Sequence, residues 1–389
     1  MGAHWVCQVG THASSAGVDA VMRPRAREVG LRIGQLPPGK QNTITDVPGV
    51  LVGHVTKIAG EGPLVPGMGP VRTGVTVILP HEGNLFREKV PGAIFTLNGF
   101  GKPLGIAQVA ELGRIETPIA LTNTLAVPRV ADGLIDHALR QNPDIGVTTS
   151  TVNPLVFECS DAWLNDIQGR HVTPADVLEA IDRAQRPSLD EGNVGAGTGM
   201  MLFGFKGGIG TASRCLPAEL GGYTIGALVL GNFGRKEQLR IAGVPIGMLL
   251  SNQQADKQPE ERGSVIVVLA TDAPLLDREL SRIARRGALG LARTGAIGGH
   301  GSGDFIVAFS TALRFAHANA DSRTVTVTIL REDPVVMDAL FQAAIEATEE
   351  AVVNALFRAE TMTGRDWHTA QALPLDETLA LLRQAGVIA

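Results

Sequence analysis

The chain carries 47 glycines but only 12 Phe, 3 Trp and 1 Tyr among its 389 residues. Its hydrophobic content is nevertheless ordinary for a globular protein, at 44%. Glycine at this density in an apolar chain means tight turns and close backbone approaches, not disorder. A core so poor in rings must be packed from Val, Ile, Leu and Ala, which suits sheets covered by helices. The length allows one large domain or two ordinary ones, with ample material for a core.

Hydrophobic periodicity divides the chain further. Residues 72–80, 92–98, 119–122, 200–205, 208–212, 223–231, 264–270, 304–311 and 324–330 have the pattern of strands. Residues 104–112, 128–139, 274–291, 335–359 and 376–384 have the pattern of helices. Another helix is expected from Thr173-Pro174-Ala175-Asp176 to about Arg186, with threonine as cap, proline in the first turn and aspartate facing the positive end of the helix dipole. Strands and helices mix without strict βαβα alternation. The expected class is therefore α/β in the α+β sense, a layered sandwich rather than a barrel.

The formal net charge is -5 and no block of Lys or Arg stands out, so neither nucleic acid nor an anionic membrane is expected as partner. No apolar run reaches the ~18 residues needed to span a bilayer. Cys7, Cys159 and Cys215 are far apart and odd in number, and read as free thiols. The nine His are scattered and HExxH is absent, so neither metal nor cofactor is expected. Residues 1–26 read as a flexible extension. The first 21 lack the basic start and long apolar centre of a signal peptide, so a cytoplasmic location is expected.

Five stretches could carry chemistry. Residues 251–263 are polar almost throughout and run straight into the buried strand 264–270 at Arg262-Gly263-Ser264-Val265. Self-cleavage by an N–O acyl shift needs a hydroxyl beside the scissile carbonyl and a backbone that can twist, which Gly263 permits. The freed α-amine of Ser264 would titrate near ~8, low enough to serve as its own base. In Gly298-Gly299-His300-Gly301-Ser302-Gly303-Asp304 a hydroxyl and a carboxylate stand two residues apart before a strand, and could orient a proton. In Gly231-Asn232-Phe233-Gly234 an amide closes an apolar strand and could face a developing oxyanion. Glu158 follows the apolar stretch 154–157 and could anchor a substrate ammonium. The glycine-rich run 192–199 lacks GxxxxGK[ST], and reads as backbone packed near a site rather than a nucleotide loop. Taken singly, each stretch is more readily an ordinary turn, and Glu158 a solvated or capping carboxylate.

Together they resemble one family, the self-processing L-aminopeptidase/D-amino-acid esterases, which include the β-peptidyl aminopeptidases. The resemblance rests on residues 42–53 (NTITDVPGVLVG), 116–124 (ETPIALTNT), 192–214 (GNVGAGTGMMLFGFKGGIGTASR), 223–234, 263–274 (GSVIVVLATDAP), 298–311 and 349–366 (EEAVVNALFRAETMTGRD). It implies a four-layer α-β-β-α sandwich similar in layout to N-terminal nucleophile hydrolases but differently connected. It also implies one catalytic domain over residues 27–389, cut into an α-chain 1–263 and a β-chain 264–389. Carried over by motif, Ser264 is the nucleophile, Ser302 and Asp304 its partners and Asn232 the oxyanion donor. Glu158 and Asn98 are expected at the substrate. The implied activity is release of N-terminal residues from small peptides, amides or esters by a homo-oligomer, with a tetramer favoured. A related self-processing acyltransferase and an unprocessed scaffold are the alternatives; the first usually cleaves before Thr, whereas this chain has Ser264. The loop Asn98-Gly99-Phe100-Gly101 departs from the Gly-Asn-Gly-Glu usual there, and the family's site tyrosine has no counterpart beyond Tyr223, with Trp163 a weak substitute.

Overall fold

The computed structural model describes residues 22–186, 189–251, 263–317 and 322–389. The expected N-terminal extension, up to residue 21, and the polar segment 252–262 lie outside the described residues. The first half of the chain forms β1 (Leu51–Ala59), β2 (Val71–Leu79), β3 (Glu88–Gly99), α1 (Ile106–Leu112), β4 (Arg114–Ile115), β5 (Ile119–Asn123), α2 (Val127–Gln141), β6 (Leu155–Cys159) and α3 (Pro174–Asp182). Then come β7 (Met201–Leu202), β8 (Phe205–Lys206), β9 (Gly208–Cys215), β10 (Thr224–Asn232) and α4 (Ile246–Ser251). The last part holds β11 (Ser264–Thr271), α5 (Asp277–Arg293), β12 (Gly303–Ser310), β13 (Phe315–Ala316), α6 (Pro334–Arg358) and α7 (Leu375–Gln384).

Two sheets result. The smaller has the order β1-β2-β5-β6, and the larger β13-β3-β12-β11-β10-β9 with β4 also on β3. Strand β11 shows how they stack. Its Val265, Val267 and Leu269 join a cluster with Leu280 and Ile283 of α5 and Leu340 and Ala347 of α6. Its Ile266, Val268 and Ala270 join Val52, Ile78, Leu121 and Phe157 of the smaller sheet. Alternate side chains point to opposite faces, so a strand buried on both becomes one continuous apolar run. The smaller sheet turns Val55, Val75 and Val77 outward onto Val130, Leu134 and Val177 of α2 and α3. The layers are thus α-β-β-α, as expected.

Glycine sets the spacing between layers. A Cβ at Gly53 would lie 1.9 Å from the Ala180 carbonyl oxygen of α3, and one at Gly210 2.0 Å from that of Ala351 in α6. The helices could not lie this close to β1 and β9 over any larger residue.

Three expectations need correction. The helix from Thr173 has its capping box, with Thr173 and Asp176 as partners, but stops at Asp182 because Gln185 exchanges backbone hydrogen bonds with Val52 of β1. The run 200–205 is not one strand but the hairpin β7–β8. Phe203 and Gly204 both take positive φ, 49° and 71°, as a tight two-residue turn demands. Residues 324–330 form no strand and are exposed apart from Leu330. They have the alternation but join no sheet, and Leu330 N–H donates instead to the Pro274 carbonyl before α5. Strands β1 and β6 and helix α4 were not anticipated; Gly53, His54 and Thr56 blur the apolar pattern of β1. Of the cysteines, Cys159 and Cys215 are free, and Cys7 lies outside the described residues.

Candidate active site

Four neighbouring strands meet at one end of the large sheet. The register pairs Asn232 of β10 with Ser264 of β11, and Ser264 with Gly303 of β12. Gly303 is in turn paired with Gly99 of β3. The junction, the Asn and the glycine-rich turn, far apart in sequence, thus meet at one edge of the large sheet.

Ser264 is buried and its Oγ has no hydrogen-bond partner. By alternation it shares a face with Ile266, toward the smaller sheet, where Cys159 closes β6. Burial pushes the Cys159 thiol well up, the Glu158 and Asp304 carboxylates push the same way, and the neighbouring Ser264 hydroxyl opposes them. The Gly263 carbonyl accepts a hydrogen bond from Gly303 N–H at 3.2 Å. The lack of a side chain at Gly263 matters for packing: a Cβ would lie 3.0 Å from Phe233 Cα and 3.1 Å from the Asn232 carbonyl oxygen.

Asn232 is held from two sides. Its Oδ1 accepts from Met201 N–H at 2.9 Å, and its Nδ2 donates to the Ser160 carbonyl at 2.9 Å. A donor on one side and an acceptor on the other fix which way the amide faces. Its second N–H has no partner among the described residues.

Ser302 Oγ donates to Asp304 Oδ1 at 2.5 Å, and both residues are buried. Asp304 is paired in parallel register with Val265, whose side chain faces α5. The Ser302–Asp304 pair therefore stands at the same end of the strands as Ser264 but on the opposite face of the sheet. On the α5 face a cavity of about 250 Å³ is lined by Leu97, Phe233, Val265, Leu291 and Ile297, with Ser302 and Asp304 among its polar residues.

The remaining candidates are engaged elsewhere in the site. Glu158 is neither solvated nor a cap. It is buried, accepting from Lys102 N–H at 2.7 Å and from the Thr124 hydroxyl. Each of its oxygens keeps a further lone pair for a substrate. Asn98 Nδ2 donates to the Gly299 carbonyl at 2.5 Å, tying β3 to the glycine-rich turn. Trp163 stacks on His368 with ring centroids 3.7 Å apart. Tyr223 sits at the far end of β10, roughly 30 Å from Asn232 by strand rise. Sequence reasoning missed Cys159, Ser160 and Met201, whose roles depend on pairing between distant strands. It also missed Asp161, whose carboxyl is pushed up to about 7 by burial against hydrogen bonds from Thr73, Asn165 and Asn123. The polar triplet 159–161, directly after a wholly apolar strand start, was the available signal. Among the described residues no group of three or more His, Cys, Asp or Glu could hold a metal ion, and no helix is long and apolar enough to cross a membrane.

Comparison with known proteins agrees with this architecture. The β-peptidyl aminopeptidase BapA of Sphingosinicella microcystinivorans is 42% identical over 388 residues, covering 95% of this chain and 94% of that protein. The crystal structure of the PH0078 protein from Pyrococcus horikoshii OT3 superposes with a TM-score of 0.88 at 53% identity, covering 93% of this chain and 99% of that one. The L-aminopeptidase D-Ala-esterase/amidase of Ochrobactrum anthropi, described as a prototype for the serine aminopeptidases and a variant of the Ntn hydrolase fold, gives a TM-score of 0.86 at 39% identity, covering 94% of this chain and 100% of that one. The profile of peptidase family S58 matches residues 42–370. With nearly the whole chain matched in both sequence and fold, the protein belongs to peptidase family S58.

Proposed function

We propose that the chain cuts itself between Gly263 and Ser264 and then works as a serine aminopeptidase, amidase and esterase on small substrates with a free N-terminal amine. The observation that carries this reading is the buried, unpartnered Ser264 Oγ beside a peptide whose carbonyl is already polarised by Gly303 N–H. In the first reaction Oγ attacks the Gly263 carbonyl carbon, the C–N bond breaks and an ester forms. Water hydrolyses that ester, leaving the Gly263 carboxylate and a Ser264 with a free α-amine. In the second reaction this amine takes the Oγ proton as Oγ attacks the substrate carbonyl. The free N–H of Asn232 receives the oxyanion, a contribution of about 3–4 kcal/mol for one such donor. The proton passes to the leaving group, and water releases the acyl enzyme. Ser302 and Asp304 reach the amine from the other face of the sheet, orienting it or holding the substrate ammonium, and Glu158 supplies a second buried carboxylate for that cation.

We also infer a homo-oligomer, with a tetramer favoured. Val325 and Ile329 expose 65% and 48% of their surface on a segment with strand alternation and no partner strand among the described residues.

Intact mass under denaturing conditions tests the cut. The wild type should give two pieces joining at Gly263/Ser264, Ser264→Ala a single chain, and only the wild type should hydrolyse free-amine p-nitroanilides while sparing their N-acetyl forms. A wild type that stays whole would overturn the reading in favour of an unprocessed scaffold.

A further inference from the structure

Lys206 is completely buried, yet no carboxylate among the described residues pairs with it. Its Nζ donates instead to three backbone carbonyls: Gly197 at 3.1 Å, Met200 at 2.9 Å and Gly207 at 2.6 Å. An ammonium has three N–H groups, so the set is complete. Burial pushes the group down to about 7. Burying a cation among neutral partners is an expensive way to close a loop, since water and backbone donors could satisfy the same carbonyls.

The loop so closed is the one that holds Asn232. Gly197 and Met200 precede Met201 and Gly207 follows it, while Lys206 is itself the ladder partner of Met201 across the β7–β8 hairpin. The Met200 carbonyl and the Met201 N–H belong to one planar peptide unit. At one edge of the unit Lys206 Nζ, with Gly207 N–H at 3.1 Å, donates to the carbonyl; at the opposite edge the N–H donates to Asn232 Oδ1. A cation on the carbonyl both fixes the plane and strengthens the N–H as a donor, because hydrogen bonds in series polarise one another.

We propose that Lys206 is a positioning residue: through the Met200–Met201 peptide it fixes the direction of the Asn232 amide at the Ser264 end of the sheet. This rests on the reading of Asn232 as oxyanion donor. Lys206 touches no substrate, so its removal should lower kcat and leave KM nearly unchanged.

The test is a double-mutant cycle of Lys206→Met and Asn232→Ala, with rates per active site titrated from the acyl-enzyme burst. Lys206→Met alone should lower kcat about 10–100-fold, a fraction of the effect of losing the donor outright. In the Asn232→Ala background it should lower kcat less than about twofold, because nothing is left to aim. Lys206→Gln, which keeps two donors, should fall between wild type and Lys206→Met. A variant that cuts slowly is compared on its processed fraction alone, quantified by intact mass. Equal losses from Lys206→Met in both backgrounds, or no loss in either, would overturn the positioning role while leaving the Asn232 assignment intact. An Asn232→Ala enzyme with unchanged kcat would sink both.

Discussion

Among the described residues, Lys206 and Arg214 are cations wholly excluded from solvent, eight positions apart along the chain, and they are satisfied in opposite ways. Arg214, on β9 beneath α6, meets Glu346 at 3.1 Å and Glu350 at 2.6 Å, with all three side chains almost fully excluded from solvent. Arg27 and Asn42 add bonds to the same Glu350, so β9, α6 and the N-terminal segment share one balanced ionic knot. Lys206 faces carbonyls alone. The first arrangement holds layers together and tolerates no missing charge. The second holds a single loop, and its partners are dipoles that remain neutral when it is lost. Buried charge in this fold thus does two jobs: ionic pairing where layers are clamped, and dipolar pairing where a side chain must be aimed.

Substitution separates the two most sharply at Arg214. Arg214→Met leaves Glu346 in the core with neutral donors only and Glu350 with Arg27 as its one remaining cation, and should lower unfolding stability by about 3–5 kcal/mol, read by denaturant titration. Activity of the molecules that remain folded should change little. Lys206→Met strands only neutral acceptors, two of which keep a backbone donor: the Met200 carbonyl has Gly207 N–H and the Gly197 carbonyl has Met200 N–H. Its stability loss should be smaller, about 1–3 kcal/mol, with the larger damage in turnover. If the stability losses ran in the reverse order, the distinction between ionic and dipolar pairing would fail.

Titration offers a finer contrast. With the folded pKa of Lys206 near 7 and the unfolded value at 10.5, the unfolded chain binds more protons between those limits. This residue's contribution to stability therefore rises with pH from about 7 to 10.5 and is flat below. The stability difference between wild type and Lys206→Met should drift in favour of wild type across that window, as thermal midpoints at pH 7, 8 and 9 would reveal. A parallel pair of curves would refute the assignment. The smallest effect belongs to the surface: removing the exposed Arg183–Glu179 pair of α3 should cost less than about 0.5 kcal/mol and vanish in 1 M salt, whereas the Arg214 knot should keep its strength.

Much of this was legible in the chain. Strand β11 announces itself because both its faces are buried, and Ser264 is marked by the polar segment that stops there. Asn232, Ser302 and Asp304 each stand at the end of an apolar run, where strands deliver side chains to an edge. What the sequence could not reveal was the face each occupies. Ser264 and Asp304 share an edge but not a side, a fact set by the register between β11 and β12. Lys206 was hidden for a similar reason: its flanking glycines suggested a turn, and only the hairpin of Phe203 and Gly204 brings its amine back onto Met200. The alternation at 324–330 misled, because alternation describes a strand's faces and not whether a sheet takes it up.

The order of the large sheet carries a last implication. Strands β9, β10 and β3 come from residues before Gly263, while β11, β12 and β13 come after it, and β3 lies between β12 and β13. The two pieces of a cut chain would be interleaved like the fingers of clasped hands rather than docked side by side. Neither could leave without dismantling the sheet. A protein that folded as one molecule would, after cutting, have to reassemble as two, with a rate that depends on concentration. Its lifetime would then be governed by how slowly it opens rather than by how readily it returns.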